Sequence, residues 1–175
     1  MKIKGIVLCL AFLLVGLIQA QDKADEEAIN KLIVEYCKTE AAGDMEAQAK
    51  LMKADRIWIG PAGSGRITNQ TMNIEKQQAQ FKVMEKIAKG IRWFIDARDI
   101  IIRSYGNGKV AVASFYLYRK FILPSDITIP EDKRELFASQ PNPLVVTHVL
   151  EKDGVEWKIV HTHLSNLFSQ SKEKE

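Results

Sequence analysis

The sequence predicts an α+β fold, with three N-terminal helices packed on a strongly curved, mostly antiparallel sheet. Three observations carry that prediction. Apolar residues recur at helical spacing as far as Lys89, the period becomes extended from Ile91 onward, and glycine-centred turns cut the later half into long strands. Helices gathered on one face of an antiparallel sheet define the class. A long twisted sheet wrapped around such helices encloses a conical cavity.

The chain opens with Lys2 and Lys4, an apolar run from Ile6 to Ile18, and Gln19-Ala20 before a polar stretch. That order is the pattern of a secretory signal peptide, so residues 1–20 are expected to be removed and the protein to be secreted or periplasmic. Cys9 lies inside the apolar run rather than after a small residue at its end, so no lipid anchor is expected. One domain over residues 21–170 and a solvated tail over 171–175 remain, with no later segment able to span a membrane. Without Lys2 and Lys4 the 25 basic residues fall to 23 against 22 acidic ones, a net charge of +1. No basic cluster interleaves with aromatics, which excludes a nucleic-acid footprint. Cys37 is then the sole thiol and closes no internal disulfide.

Asp25 to Ala42 reads as a helix, with Ala28, Ile29, Leu32, Ile33, Tyr36 and Cys37 on one stripe. Gly43 supplies a left-handed cap, and Asp44 caps a second helix expected to reach about Met52. Arg56–Ile59 is a short strand. The following Gly60-Pro61-Ala62-Gly63-Ser64-Gly65 lacks phosphate-loop spacing and reads as a turn. Thr71 to Lys89 is a third helix, stopped by Gly90. Two strands, Ile91–Ser104 and Lys109–Leu123, flank the turn Tyr105-Gly106-Asn107-Gly108. The second is apolar at both parities, so one face is expected to pack on helices and the other on a second copy in a homodimer. Pro124 to Pro143 is a long polar connection, read as a lid or as an excursion that touches a partner. Leu144–Lys152 and Trp157–Leu167 complete the sheet.

Trp157-Lys158-Ile159-Val160-His161-Thr162-His163-Leu164-Ser165 places His161 and His163 on one face of a strand. A turn at Asp153-Gly154, or a loop over Asp153–Glu156, brings His148 beside or opposite His161, about 5–8 Å away at Cβ. A three-residue loop flips one strand and breaks the cluster. Three imidazoles so placed permit a metal site, a general acid or base formed by His148 or His161, or a polar ligand-orienting wall; the last is expected, with no metal. Tyr36, Trp58, Trp93, Tyr116 and Tyr118 are candidates to line the cavity beside His148, His161 and His163. Arg119 reads as an exposed charge, and Arg98 as suited to an anion if it turns inward.

The element order, Ala42-Gly43-Asp44, Trp58, the Gly106-to-Val112 turn and strand, and the W-K-I-V-H-T-H-L-S ending resemble the nuclear-transport-factor-2-like superfamily. Within it the likeness is to the SnoaL-like and ketosteroid-isomerase-like branch. The terminal segment is also similar to the association domain of calcium/calmodulin-dependent protein kinase II. The resemblance implies a cystatin-like cone with a cavity between the first helix and the concave sheet, in a homodimer. Members include isomerases, cyclases, dehydratases and assembly domains, so fold alone selects no reaction. The expectation is a small-molecule-binding protein that needs no cofactor. An isomerase, dehydratase or hydrolase using a pocket histidine and a non-catalytic assembly module stand as alternatives.

Overall fold

The structure, a computed structural model, describes residues 3–61, 65–137 and 143–167. The side chains of residues 3–21, 135 and 136 lie outside the described residues, as do the middle of the Gly60–Gly65 turn and the 171–175 tail. The elements are α1 (Ile3–Ala42), α2 (Met45–Ala49), β1 (Met52–Ile59), β2 (Arg66–Ile67), α3 (Gln70–Ile87), β3 (Arg92–Tyr105), β4 (Val110–Ile122), a 3-10 turn (Glu131–Lys133), α4 (Arg134–Phe137), β5 (Leu144–Asp153) and β6 (Glu156–Asn166). They form the expected α+β arrangement. One six-stranded sheet runs β2-β1-β6-β5-β4-β3, antiparallel except where β1 lies parallel to β6. Among the described residues, no helix is long and apolar enough to cross a membrane.

Several elements differ from the sequence reading. The first helix is continuous from Ile3, so Asp25 lies within it and not at its N-terminal dipole. There Asp25 is buried and accepts from Lys152 Nζ at 2.5 Å and Trp157 Nε1 at 3.2 Å, joining α1 to the β5–β6 hairpin. The second helix stops at Ala49, because the chain from Met52 onward joins the sheet. The short strand Arg66–Ile67 pairs with Trp58 and Ile59 and was not expected.

The core lies between α1 and the concave face of the sheet. Ile29, Leu32, Ile33, Tyr36 and Cys37 from the helix stripe meet Ala111, Ala113, Phe115, Leu117, Val146, Leu150, Ile159 and Leu164. Ala111 and Ala113 are fully buried on β4, while the helix backbone comes closest to β3. Burial pushes the Cys37 thiol up to about 12, with Glu40 adding to the shift, so it is an inert core residue.

Gly43 makes the corner between α1 and α2, with φ +70°, and a Cβ there would stand 3.0 Å from the Phe81 ring. Gly43→Ala therefore incurs both left-handed strain and a clash, together about 1–3 kcal/mol. The expected result is a melting temperature lower by several degrees. An unchanged melting temperature would show that the corner relaxes freely.

Candidate functional site

Between α1, α3 and the concave sheet lies a cavity of about 340 Å³. This size is ordinary for a small-molecule site. Much of its lining is aromatic and aliphatic: Trp58, Phe81, Trp93 and Phe121, with Leu144 and Leu164. Phe81, Trp93 and Phe121 form a ring-contact series with centroid separations of 6.2 and 4.7 Å, and Phe137 extends it at 5.7 Å. The polar connection after β4 thus reaches the cavity wall through α4.

The polar part of the lining is Glu40, Gln77 and Arg119, tied together through the buried Gln48 by a directed hydrogen-bond chain. Gln77 Nε2 donates to Asn73 Oδ1 at 2.9 Å and to Gln48 Oε1 at 3.4 Å. Gln48 Nε2 then donates to Glu40 Oε2 at 3.3 Å, and Arg119 Nη2 donates to Glu40 Oε1. Glu40 is 4% exposed and the Arg119 side chain 20%, so this ion pair is largely desolvated and forms a fixed dipole on the wall. Four elements converge in the chain: α3, α2, α1 and β4.

His148 sits below the cavity. It belongs to a row crossing the concave face, in which Trp58 pairs with Thr162, Thr162 with His148, and His148 with Ala113. It has no solvent exposure. Its ring meets Tyr36 and Phe115 edge-on, each at 5.1 Å, and its Nδ1 lies 2.9 Å from the Thr162 hydroxyl. Among the described residues, Nε2 has no hydrogen-bond partner. Desolvation, reinforced by the positive charges of Arg56 and His161, pushes its pKa down to about 3. Tyr36 lines the cavity above it, and burial, with Glu40 adding, raises the phenol to about 12. Both groups are neutral near pH 7, so their roles at that pH are as hydrogen-bonding surface.

The predicted cluster of three histidines does not form. The turn at Gly154-Val155 sets Leu150 opposite Ile159, a register that would continue to His148 opposite His161. A one-residue bulge at Val160 intervenes, and Val149 pairs with His161 while His148 pairs with Thr162. The bulge reverses the parity of the rest of β6. His148 therefore points to the core, while His161 and His163 lie on the convex face beside Ile57 and Ile59. Desolvation, then repulsion from His163 and Arg56, lowers the His161 pKa.

Tyr36, Trp58 and Trp93 line the cavity, whereas Tyr116 and Tyr118 do not. The even positions of β4 face outward, where Tyr116 is exposed and Tyr118 stacks under Arg98 at 4.8 Å. Arg98 is turned away from the cavity and bonded to Asp96 at 2.7 Å. Arg119 is the inward arginine instead. The sequence reading misses Glu40, Gln48 and Gln77 and takes Arg119 as exposed, although Glu40 follows Tyr36 by one helical turn and Arg119 shares the parity of Phe115 and Leu117. Among the described residues, no group of three or more His, Cys, Asp or Glu is placed to hold a metal ion.

Comparison with known proteins bears on this geometry. The SnoaL-like domain family matches residues 29–169. A cystatin-fold, nuclear-transport-factor-2-like protein from Novosphingobium aromaticivorans superposes with a TM-score of 0.62 at 15% identity, covering 97% of this chain and 93% of that one. A protein of unknown function from Mycobacterium tuberculosis gives 0.64 at 16% identity, covering 87% and 77%. A Catenulispora acidiphila protein solved in complex with S-DNPA gives 0.64 at 10% identity, covering 82% and 93%. These likenesses are to the nuclear-transport-factor-2-like fold. No curated protein matches significantly.

Proposed function

The chain belongs to the SnoaL-like domain family, and from that membership we propose that it binds a small, partly apolar molecule inside the cone. The observation that carries this reading is the mixed lining of the cavity, which combines aromatic rings with the Glu40–Arg119 pair and Gln77. Such a site buries an apolar body and orients a polar group. The Catenulispora acidiphila protein, similar in fold, was solved in complex with S-DNPA. A histidine-catalysed reaction draws no support from the geometry, since His148 lacks exposure and His161 faces the other way.

A thermal-shift panel of amphipathic small molecules tests the reading. A ligand at about a hundredfold excess over its Kd adds about 2.7 kcal/mol, a shift of several degrees. Trp58→Ala and Trp93→Ala each weaken that response by removing aromatic wall. If no panel member shifts the melting temperature, the reading fails.

The proposal extends to export and pairing. The basic start and the apolar run from Ile6 to Ile18 support secretion or a periplasmic location. The convex face supports a homodimer, because Ile57, Ile59, Phe94, Ile101 and Tyr116 are all exposed there. Sedimentation of the wild type as a dimer and of Ile101→Glu as a monomer is the expected result. A monomeric wild type contradicts it.

A further inference from the structure

The convex face carries exposed isoleucines at both ends, Ile57 and Ile59 on β1 and Ile101 on β3. The strand pairings join these ends in one row. Ile59 lies beside His163, His163 beside Thr147, Thr147 beside Ser114, and Ser114 beside Ile101. Strands stand about 4.8 Å apart, so the four steps of this row span about 19 Å. A stable interface takes about 800 Å² from each partner, a patch wider than the row. A second copy that covers both isoleucine ends therefore covers His163. His161 lies in the next row, between Ile57 and Val149.

The two imidazoles have no acid to balance a proton. The strands on either side are β1 and β5. On β1 the charged residues are Lys53, Asp55 and Arg56, and on β5, beyond the inward-facing His148, they are Glu151, Lys152 and Asp153. Lys53 pairs with Glu151 at 3.6 Å and Asp153 at 3.9 Å, and Lys152 pairs with the buried Asp25. On β6 itself Lys158 holds Glu156 at 2.7 Å. Asp55 is exposed, where solvent screens its charge. Beyond Val149 and Val112, the His161 row ends on Arg103, a further positive charge. Among the described residues, neither His161 nor His163 forms an ion pair.

Resting on the homodimer reading, we propose that the convex pairing is a pH-sensitive switch: two copies pair while His161 and His163 are neutral and separate when these imidazoles take up protons. An isologous interface presents the same patch from both copies, so each dimer covers four imidazoles. An imidazolium there is desolvated among isoleucines and valines without a partner, and its neighbouring imidazole repels it. The dimer thus holds the neutral form. Pairing is fully present above the ordinary histidine range near pH 6.5 and is lost as pH falls through it. Keeping one histidine per chain neutral raises the dissociation constant about hundredfold between pH 7.5 and pH 5.5.

Sedimentation equilibrium of the purified protein at pH 7.5 and pH 5.5, with circular dichroism at each pH to follow the fold, tests the switch. Wild type is expected to be a dimer at pH 7.5, its dissociation constant rising about hundredfold or more at pH 5.5 while the separated chains stay folded. His161→Gln/His163→Gln keeps polar side chains that do not titrate and retains His148. It is expected to pair at pH 7.5 and to change by less than about tenfold. A wild-type dimer equally tight at both pH values overturns the switch and spares the homodimer. Unfolding that accompanies dissociation also overturns the switch. A double variant as acid-sensitive as wild type, or monomeric at pH 7.5, overturns the assignment to this pair. A monomeric wild type at pH 7.5 overturns the homodimer and the switch together.

Discussion

Glu40→Ala is expected to lower the folding stability by about 3 kcal/mol, the largest effect of any single substitution at the cavity wall. The carboxylate is 4% exposed and receives both the Arg119 guanidinium and the Gln48 amide, so its loss leaves two desolvated donors without their acceptor. Breaking one side of a buried pair typically costs about 3–5 kcal/mol, and the partial exposure of Arg119 puts this case at the lower end. The melting temperature should fall by about 6–12 °C. The double variant Glu40→Met/Arg119→Met should recover most of the loss, because it removes both charges together. A Glu40→Ala protein as stable as wild type would show that the pair is solvated and is no fixed dipole.

Acid sensitivity follows from His148. Its pKa is depressed to about 3 by burial, while in the unfolded chain it lies near 6.5. Between those values the unfolded state binds a proton that the folded state refuses, so stability rises with pH across the window. The contribution is therefore fully present above about pH 6.5 and is lost as pH falls toward 3. The full loss is of the order of 5 kcal/mol. His148→Leu/Thr162→Val removes the imidazole and its hydroxyl partner together, leaving no orphaned polar atom in the row. Chemical denaturation from pH 7 to pH 4 should show a shallower loss for the double variant than for wild type. Parallel pH curves would mean that water or local opening already protonates His148 in the native state.

The helical half was legible because its signals are local. Ile29, Ile33, Tyr36 and Cys37 recur at helical spacing, and they are the residues that pack on the sheet. Gly43 at the corner and the Gly106–Gly108 turn were legible for the same reason, since both need positive φ. The two-faced apolar pattern of β4 did not show which parity faces inward: Ala111, Ala113, Phe115 and Leu117 are the buried set, and Tyr116 and Tyr118, expected in the cavity, face outward. The histidine cluster failed on one residue. Nothing in Lys158-Ile159-Val160-His161 marks Val160 as a bulge, and the bulge moves His161 and His163 to the other face. The wall chain was hidden differently. Glu40 and Arg119 are 79 positions apart, and only the fold makes them neighbours. A charged residue continuing an apolar stripe is the available signal, and Glu40 and Arg119 both show it. Arg56 has the same character, a lone cation at the inward parity of a strand that also carries Met52 and Trp58.

A structure of the chain with its best-stabilising small molecule tests the binding site most directly. The molecule is expected inside the cone, its apolar part against Trp58, Trp93 and Phe121 and its polar group toward the Glu40–Arg119 pair. A ligand seated on the convex face near Ile57 and Ile101, with the cone left unoccupied, would contradict the proposed site.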